Sequence, residues 1–177
     1  WALSYLEIIN GDVVLDVGCG GGRTVSKLCD LVGSGKAYGI DYSELCVKKA
    51  KSYNNKNVLC KKAVISQASV SQLPFEDNMF DKITAVETYY FWPDKLNDLK
   101  EVNRVLKPGG KLMLVFEMLF DENNPDKWTA VEEKLNIKAV SESGIVNILK
   151  QAGYVNISTY TKEGTSWLCA VCEKENT

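Results

Sequence analysis

Apolar positions along the chain switch between two spacings. Short apolar runs at DVVLDV (12–17), KAYGID (36–41), AVISQ (63–67), FDKITAVE (80–87) and KLMLVFEMLF (111–120) predict strands. Between them, apolar residues recur three and four positions apart, the signature of helices with one buried face. TVSKLCDLV (24–32) aligns Val25, Leu28 and Leu31 or Val32, and Gly33 and Gly35 end it. Ser43 is placed to cap a helix through ELCVKKAKSYNN, with Glu44 in its first turn and Asn54 to Asn57 weakening it before Lys61. Pro93 and Asp94 open another, with Leu96, Leu99, Val102 and Leu106 inward.

The ends of the chain follow the same rules. WALSYLEII predicts a short opening helix with Leu3, Leu6 and Ile9 on one side. KWTAVEEKL (127–135) and SESGIVNILKQAG (141–153) predict helices, the second burying Ile145, Ile148, Leu149 and Ala152. LPFEDNMFD (73–81) reads as a loop and KPGG (107–110) as a tight turn. YVNISTYT and TSWLCAVCEK read as a closing antiparallel pair joined around Glu163 and Gly164. Strand–helix alternation predicts an α/β fold, a mostly parallel sheet with helices on both faces, in a single domain over residues 1–177.

Composition narrows the chemistry. The 177 residues are 45% apolar with a formal net charge of −2, so bulk charge does not favour a nucleic-acid partner. No apolar run reaches membrane-spanning length, and no signal-peptide pattern is present. The chain starts at Trp1 rather than Met, which reads as a trimmed piece with its N-terminal segment missing. Six cysteines are scattered, and only Cys169 and Cys172 form a C-x-x-C, within a strand where they face opposite sides. These read as free thiols in a reducing cytoplasm, and no metal site is expected. There is no histidine, which removes Ser-His-Asp and Cys-His catalysis and the commonest general base.

The densest signal is LDVGCGGGRT (15–24), a glycine bend directly after a predicted strand. Glycine admits φ > 0 and lets a ligand approach the backbone. A dinucleotide fingerprint G-x-G-x-x-G fails here, because Arg23 stands at its last glycine. The spacing that fits is Asp16, Gly18, Gly20, Gly22, with Cys19 inside the bend. An acid before the bend would repel a diphosphate and favour a cationic ligand. Asp41, ending the second strand, can accept from both hydroxyls of a ribose. The ligand so described is a nucleoside with a positive, phosphate-free tail.

VLDVGCGGGRT, YGIDYS, LPFEDNMFD and RVLKPGG together resemble the class I methyltransferases that use S-adenosylmethionine, in order and spacing, over nearly the whole chain. The resemblance implies a Rossmann-like, doubly wound, mostly parallel seven-stranded sheet with an antiparallel C-terminal strand. It places Asp16, Gly18, Cys19 and Gly20 along the methionine part of the cofactor, Asp41 on the ribose and Tyr42 against adenine. Ser69 stands where many members carry an acid for the adenine amino group, with Val70 beside it. Glu87 closes the fourth strand, where the family puts groups facing cofactor and substrate.

Bland roles remain open for several of these. Asp16 can serve loop amides, Asp41 can cap a helix, and Glu87 can bond only to neighbouring amides. Four successive aromatics, Tyr89 to Trp92, cannot all enter one core from a strand, so Tyr89 and Tyr90 are expected at the ligand edge. Methyl transfer needs alignment and, for a protonated acceptor, a base; Glu87 is best placed, ahead of Asp94 or a tyrosine. The expected acceptor is a small molecule under a short lid at 120–140, with its identity and the oligomeric state left open. The rivals are a non-catalytic S-adenosylmethionine-binding regulator and a nicotinamide-dependent oxidoreductase.

Overall fold

The computed structural model describes residues 1–176. Its strands are β1 (Val13–Val17), β2 (Lys36–Asp41), β3 (Ala63–Gln67), β4 (Phe80–Val86), β5 (Leu106–Phe116), β6 (Tyr154–Thr161) and β7 (Leu168–Lys174). They form one sheet in the order β3-β2-β1-β4-β5-β7-β6. The first five are parallel; β7 runs antiparallel to both β5 and β6. The helices are α1 (Arg23–Leu31), α2 (Glu44–Tyr53), α3 (Asn55–Leu59), α4 (Lys95–Val105), α5 (Thr129–Leu135) and α6 (Glu142–Gln151).

Layer packing follows from the apolar pattern. One face of the sheet packs Leu15, Ile83, Leu112 and Leu114 against Leu99 and Val102 of α4 and Leu149 of α6. The other packs Val14, Ala37 and Ile65 against Val25, Leu28 and Val47 of α1 and α2. Phe80, Phe116, Ile83 and Leu112 are fully buried, and each such side chain stabilises the fold by roughly 1.5–3 kcal/mol relative to exposure. Cys169 and Cys172 point into opposite layers, as a strand requires.

Local chemistry sets the element ends. Ser43 Oγ accepts from the Cys46 amide and Ser141 Oγ from the Gly144 amide, capping α2 and α6. Arg104, near the end of α4, fans its guanidinium over the preceding loop. It donates to the carbonyls of Leu73 (3.1 Å) and Phe75 (2.9 Å) and to Asp77 (2.6 Å) and Glu101 (2.8 Å). Glu101 in turn accepts from the Leu73 amide at 2.8 Å, so loop 73–77 is fastened on both sides. Phe75 packs edge-on against Tyr38 and Phe80.

Some expectations shift. The opening helix is a 3-10 turn, Ala2–Leu6, ended by Glu7 in a left-handed conformation, so Ile9 falls outside it and is 66% exposed. The Asn-rich stretch breaks the second helix into α2 and α3 at Asn54. Leu106 is buried as predicted but begins β5 rather than ending α4. KPGG is a bulge within β5: Phe80 pairs with Leu106 and Lys82 already with Lys111. Lys107 pins that bulge by a 2.6 Å ion pair to Asp81. β5 stops at Phe116, opposite Leu168 where β7 begins, not at Phe120.

The glycine bend is shaped largely by the protein itself. A Cβ at Gly18, φ 73°, would lie 2.0 Å from Thr88 Oγ1. A Cβ at Gly22, φ 84°, would lie 2.9 Å from Ala50 of α2. Gly20 and Gly21 face open space. Gly18→Ala should therefore destabilise the fold by roughly 2–4 kcal/mol, combining overpacking with backbone strain. Gly20→Ala should cost only about 1 kcal/mol, from its left-handed backbone alone. Denaturant melts of the two variants check the ordering, and equal losses would contradict it.

Candidate active site

The carboxyl ends of the parallel strands share one edge of the sheet. Chain order reverses at β1, which has β2 on one side and β4 on the other, so a crevice opens beyond β1. A cavity of about 930 Å³ lies there, walled by the glycine bend, the end of β2, the segment 68–70 and the turn after β4. A second cavity of about 300 Å³ shares Glu87, Tyr90, Phe91, Leu135 and Ile137 with it and extends to Met118, Trp128 and Val131.

Asp41 fastens the floor. Its Oδ2 accepts from the Gly20 amide and its Oδ1 from the Ser43 amide, both at 2.9 Å. The amides of Gly18 and Cys19 both donate to the Ile40 carbonyl at 2.8 Å. The bend is thus folded back onto the end of β2. Asp41 lines the large cavity with Gly18 and Gly20. Tyr42 stands at its mouth, 77% exposed. Ser69 and Val70 line the same wall, with Ser69 Oγ accepting from the Ser71 amide at 3.2 Å.

Asp16 and Cys19 are placed differently. Both are buried beneath the bend and neither lines the cavity. Asp16 accepts from Thr84 Oγ1 at 2.7 Å. Burial raises its pKa to about 7, and the Asp41 charge adds to this while the Thr84 bond opposes it. Burial likewise pushes the Cys19 thiol up to about 12.

Glu87, just past β4, has a left-handed backbone at φ 59°, a strained conformation for a residue with a Cβ. Its amide donates to the Val115 carbonyl at 3.0 Å. Its Oε1 is buried with no hydrogen-bond partner among the described residues. Burial raises its pKa to about 7; the Glu117 carboxylate adds to the rise and the Glu117 amide opposes it.

The aromatic run leaves the strand and turns as a 3-10 helix, Tyr89–Phe91, so three of its four side chains are buried after all. Tyr90 lines both cavities, and its hydroxyl oxygen accepts from the Met118 amide at 2.9 Å. Burial drives its pKa upward. Tyr89 sits away from both cavities, packed against Phe116 and Trp92, and burial takes its hydroxyl to about 12. Asp94 caps α4 through the Asn97 amide, which holds its carboxyl below the usual range. Phe91, Trp92, Met118, Trp128, Val131, Leu135 and Ile137 are wall residues that sequence reasoning did not single out. The spacing of Trp128, Val131 and Leu135 on one helical stripe was the available signal.

A glycine bend, a strand-end acid and a cavity at the switch point define a nucleoside-binding protein of Rossmann-like class. Residues 15–114 match the family model described as a methyltransferase domain. The chain is 30% identical to the uncharacterized methyltransferase YdaC of Bacillus subtilis, over 72% of this chain and 68% of that protein. It is 46% identical to a demethylmenaquinone methyltransferase of Staphylococcus aureus, over 61% of this chain and 44% of that one. It superposes on a SAM-dependent methyltransferase from Aquifex aeolicus with a TM-score of 0.75 and 25% identity, covering 96% of this chain and 86% of the other. Several further curated relatives are spanned over only 32% to 54% of their length. The chain belongs to the S-adenosylmethionine-dependent methyltransferases. This decides against the nicotinamide-dependent alternative.

The two raised carboxyls predict a pH dependence. Asp16 and Glu87 bind a proton more tightly folded than unfolded, so the stability they contribute is full below about pH 4 and lost as pH rises through about 7. The melting temperature without ligand should fall from pH 5 to pH 8. Asp16→Asn combined with Glu87→Gln should flatten that fall in scanning calorimetry; an unchanged slope would refute the assignment.

Proposed function

We propose that the chain works as a single domain that transfers a methyl group to a small molecule at the junction of the two cavities. The observation that carries this reading is Glu87, whose buried, unpartnered Oε1 belongs to a residue lining both. The residues present fit S-adenosylmethionine. Gly20 leaves room for close approach, and Asp41 has lone pairs beyond its two amide bonds for a ribose diol. Tyr42 offers a ring for adenine, with Ser69 and Val70 at its edge. Gly18 and Cys19 hold the bend, and Asp16 sits beneath it as a nearby acid. When bound, the cofactor supplies an electrophilic methyl on a sulfonium, whose sulfur keeps the electron pair of the broken bond, so the only proton to remove is the acceptor's.

Glu87 is the base for that proton. A carboxyl with pKa about 7 is well matched to proton transfer near neutrality. Tyr90 holds the wall beside it, tied to the Met118 amide. The aromatic and aliphatic walls of the second, inner cavity suit a small, largely apolar acceptor. The relative named for demethylmenaquinone supports a small-molecule acceptor, and the net charge of −2 does not support a nucleic acid. None of the described helices is long and apolar enough to cross a membrane. The six free cysteines support a cytoplasmic location.

Glu87→Gln should lower kcat by about 10²-fold while leaving S-adenosylhomocysteine affinity within a few-fold, as removal of a general base does. Unchanged turnover would take Glu87 out of the reaction. Asp41→Ala should weaken S-adenosylhomocysteine binding about tenfold or more in calorimetry, from lost charge-assisted bonds. Transfer of labelled methyl into a metabolite extract separates an enzyme from a regulator that only binds.

A further inference from the structure

The inner cavity has a lopsided charge. Its wall carries two carboxylates, Glu87 and Glu117, and no lysine or arginine. The two are close enough for the Glu117 charge to act on Glu87. The cations nearby are otherwise engaged. Lys95, on the outer cavity, donates to the carbonyls of Tyr90 (3.3 Å) and Trp92 (3.4 Å). Lys127 stands over the Trp128 ring at 5.3 Å but is not a wall residue.

The rest of the wall has a matching character. Tyr90, Phe91 and Trp128 contribute rings, and Met118, Val131, Leu135 and Ile137 contribute apolar surface. Aromatic rings attract cations through their negative faces, and carboxylates attract them by their charge. Glu87 Oε1 has no donor within the described residues, so a ligand N–H would satisfy an atom the protein leaves unpaired. An anionic acceptor would meet two like charges there. A neutral alcohol could use one carboxylate but would leave the other uncompensated.

We propose that the inner cavity selects a primary or secondary amine, entering as its ammonium form, attached to a small apolar or aromatic body. This rests on the methyl-transfer reading of the same site. Glu87 and Glu117 hold the ammonium, the rings take up its carbon frame, and Glu87 is positioned to accept the proton that frees the nitrogen lone pair.

The test separates the two readings. Calorimetry with S-adenosylhomocysteine comes first, and failure of that ligand to bind would sink the methyltransferase site itself. With it bound, three probes of near-equal shape are titrated: phenethylamine, phenethyl alcohol and phenylacetate. The amine should bind about tenfold more tightly than the alcohol, and phenylacetate should bind weakest. Glu117→Gln, at an exposed position that the fold does not need, should reduce the preference for the amine several-fold and leave the alcohol unchanged. Intact S-adenosylhomocysteine binding together with an amine that binds no better than the alcohol, or does not bind, would overturn the proposal.

Discussion

The site depends on one carboxylate bonding to two turns at once. Asp41 accepts from the Gly20 amide after β1 and from the Ser43 amide before α2, each at 2.9 Å. Besides it, the bend is held by the Gly18 and Cys19 amides on the Ile40 carbonyl, by the Asn54 amide group on the Gly22 carbonyl at 2.9 Å and by close contacts with Thr88 and Ala50. Charged acceptors hold amides more strongly than neutral ones, which lets a bend with four glycines in five positions keep one shape despite its freedom. The same carboxylate forms part of the cavity wall, so the group that builds the floor is also offered to a ligand.

Glu87 shows the opposite tendency. Its left-handed backbone, its buried unpaired oxygen and the burial that weakens it as an acid each work against stability. Such features persist only where the surroundings over-determine them. Here the Glu87 amide is fixed on Val115 in central β5, and the next residue, Thr88, fills the space that Gly18 leaves. The rigid sheet therefore carries a strained acid on its edge between two cavities. Asp16 is a milder case, compensated by Thr84 of β4.

Most of the fold was legible because its signals are local and repeated. The buried runs of β1, β2, β3 and β4 match their predicted bounds within a residue or so, and the Ser43 cap sits where the pattern put it. What was not legible depends on partners distant in sequence. Strand β5 begins at Leu106 because Phe80 pairs there, and ends at Phe116 because β7 begins opposite. At the site, the motifs pointed to Asp41, Ser69, Val70 and Glu87, all of which line the cavity. Strand logic failed for the aromatic run, since a 3-10 turn sends Tyr89 into the core and Tyr90 to the cavity. The wall of the inner cavity from Met118 to Ile137 carries no signal beyond the helical spacing of Trp128, Val131 and Leu135, and only the fold shows what those residues face.

The roof over the inner cavity is tied by backbone bonds at its two ends and packs Trp128, Val131, Ile137 and Val140 against the core. The Phe120 amide donates to the Val140 carbonyl at 2.8 Å, the Val140 amide donates to the Met118 carbonyl at 3.0 Å, and the Trp128 indole donates to the Leu119 carbonyl at 2.9 Å. Both ends of the segment emerge side by side, so its interior can be lengthened or rewritten without moving a sheet strand. A fold built this way can be retooled for new chemistry by exchanging one cassette, while its machinery for the shared reagent descends unchanged.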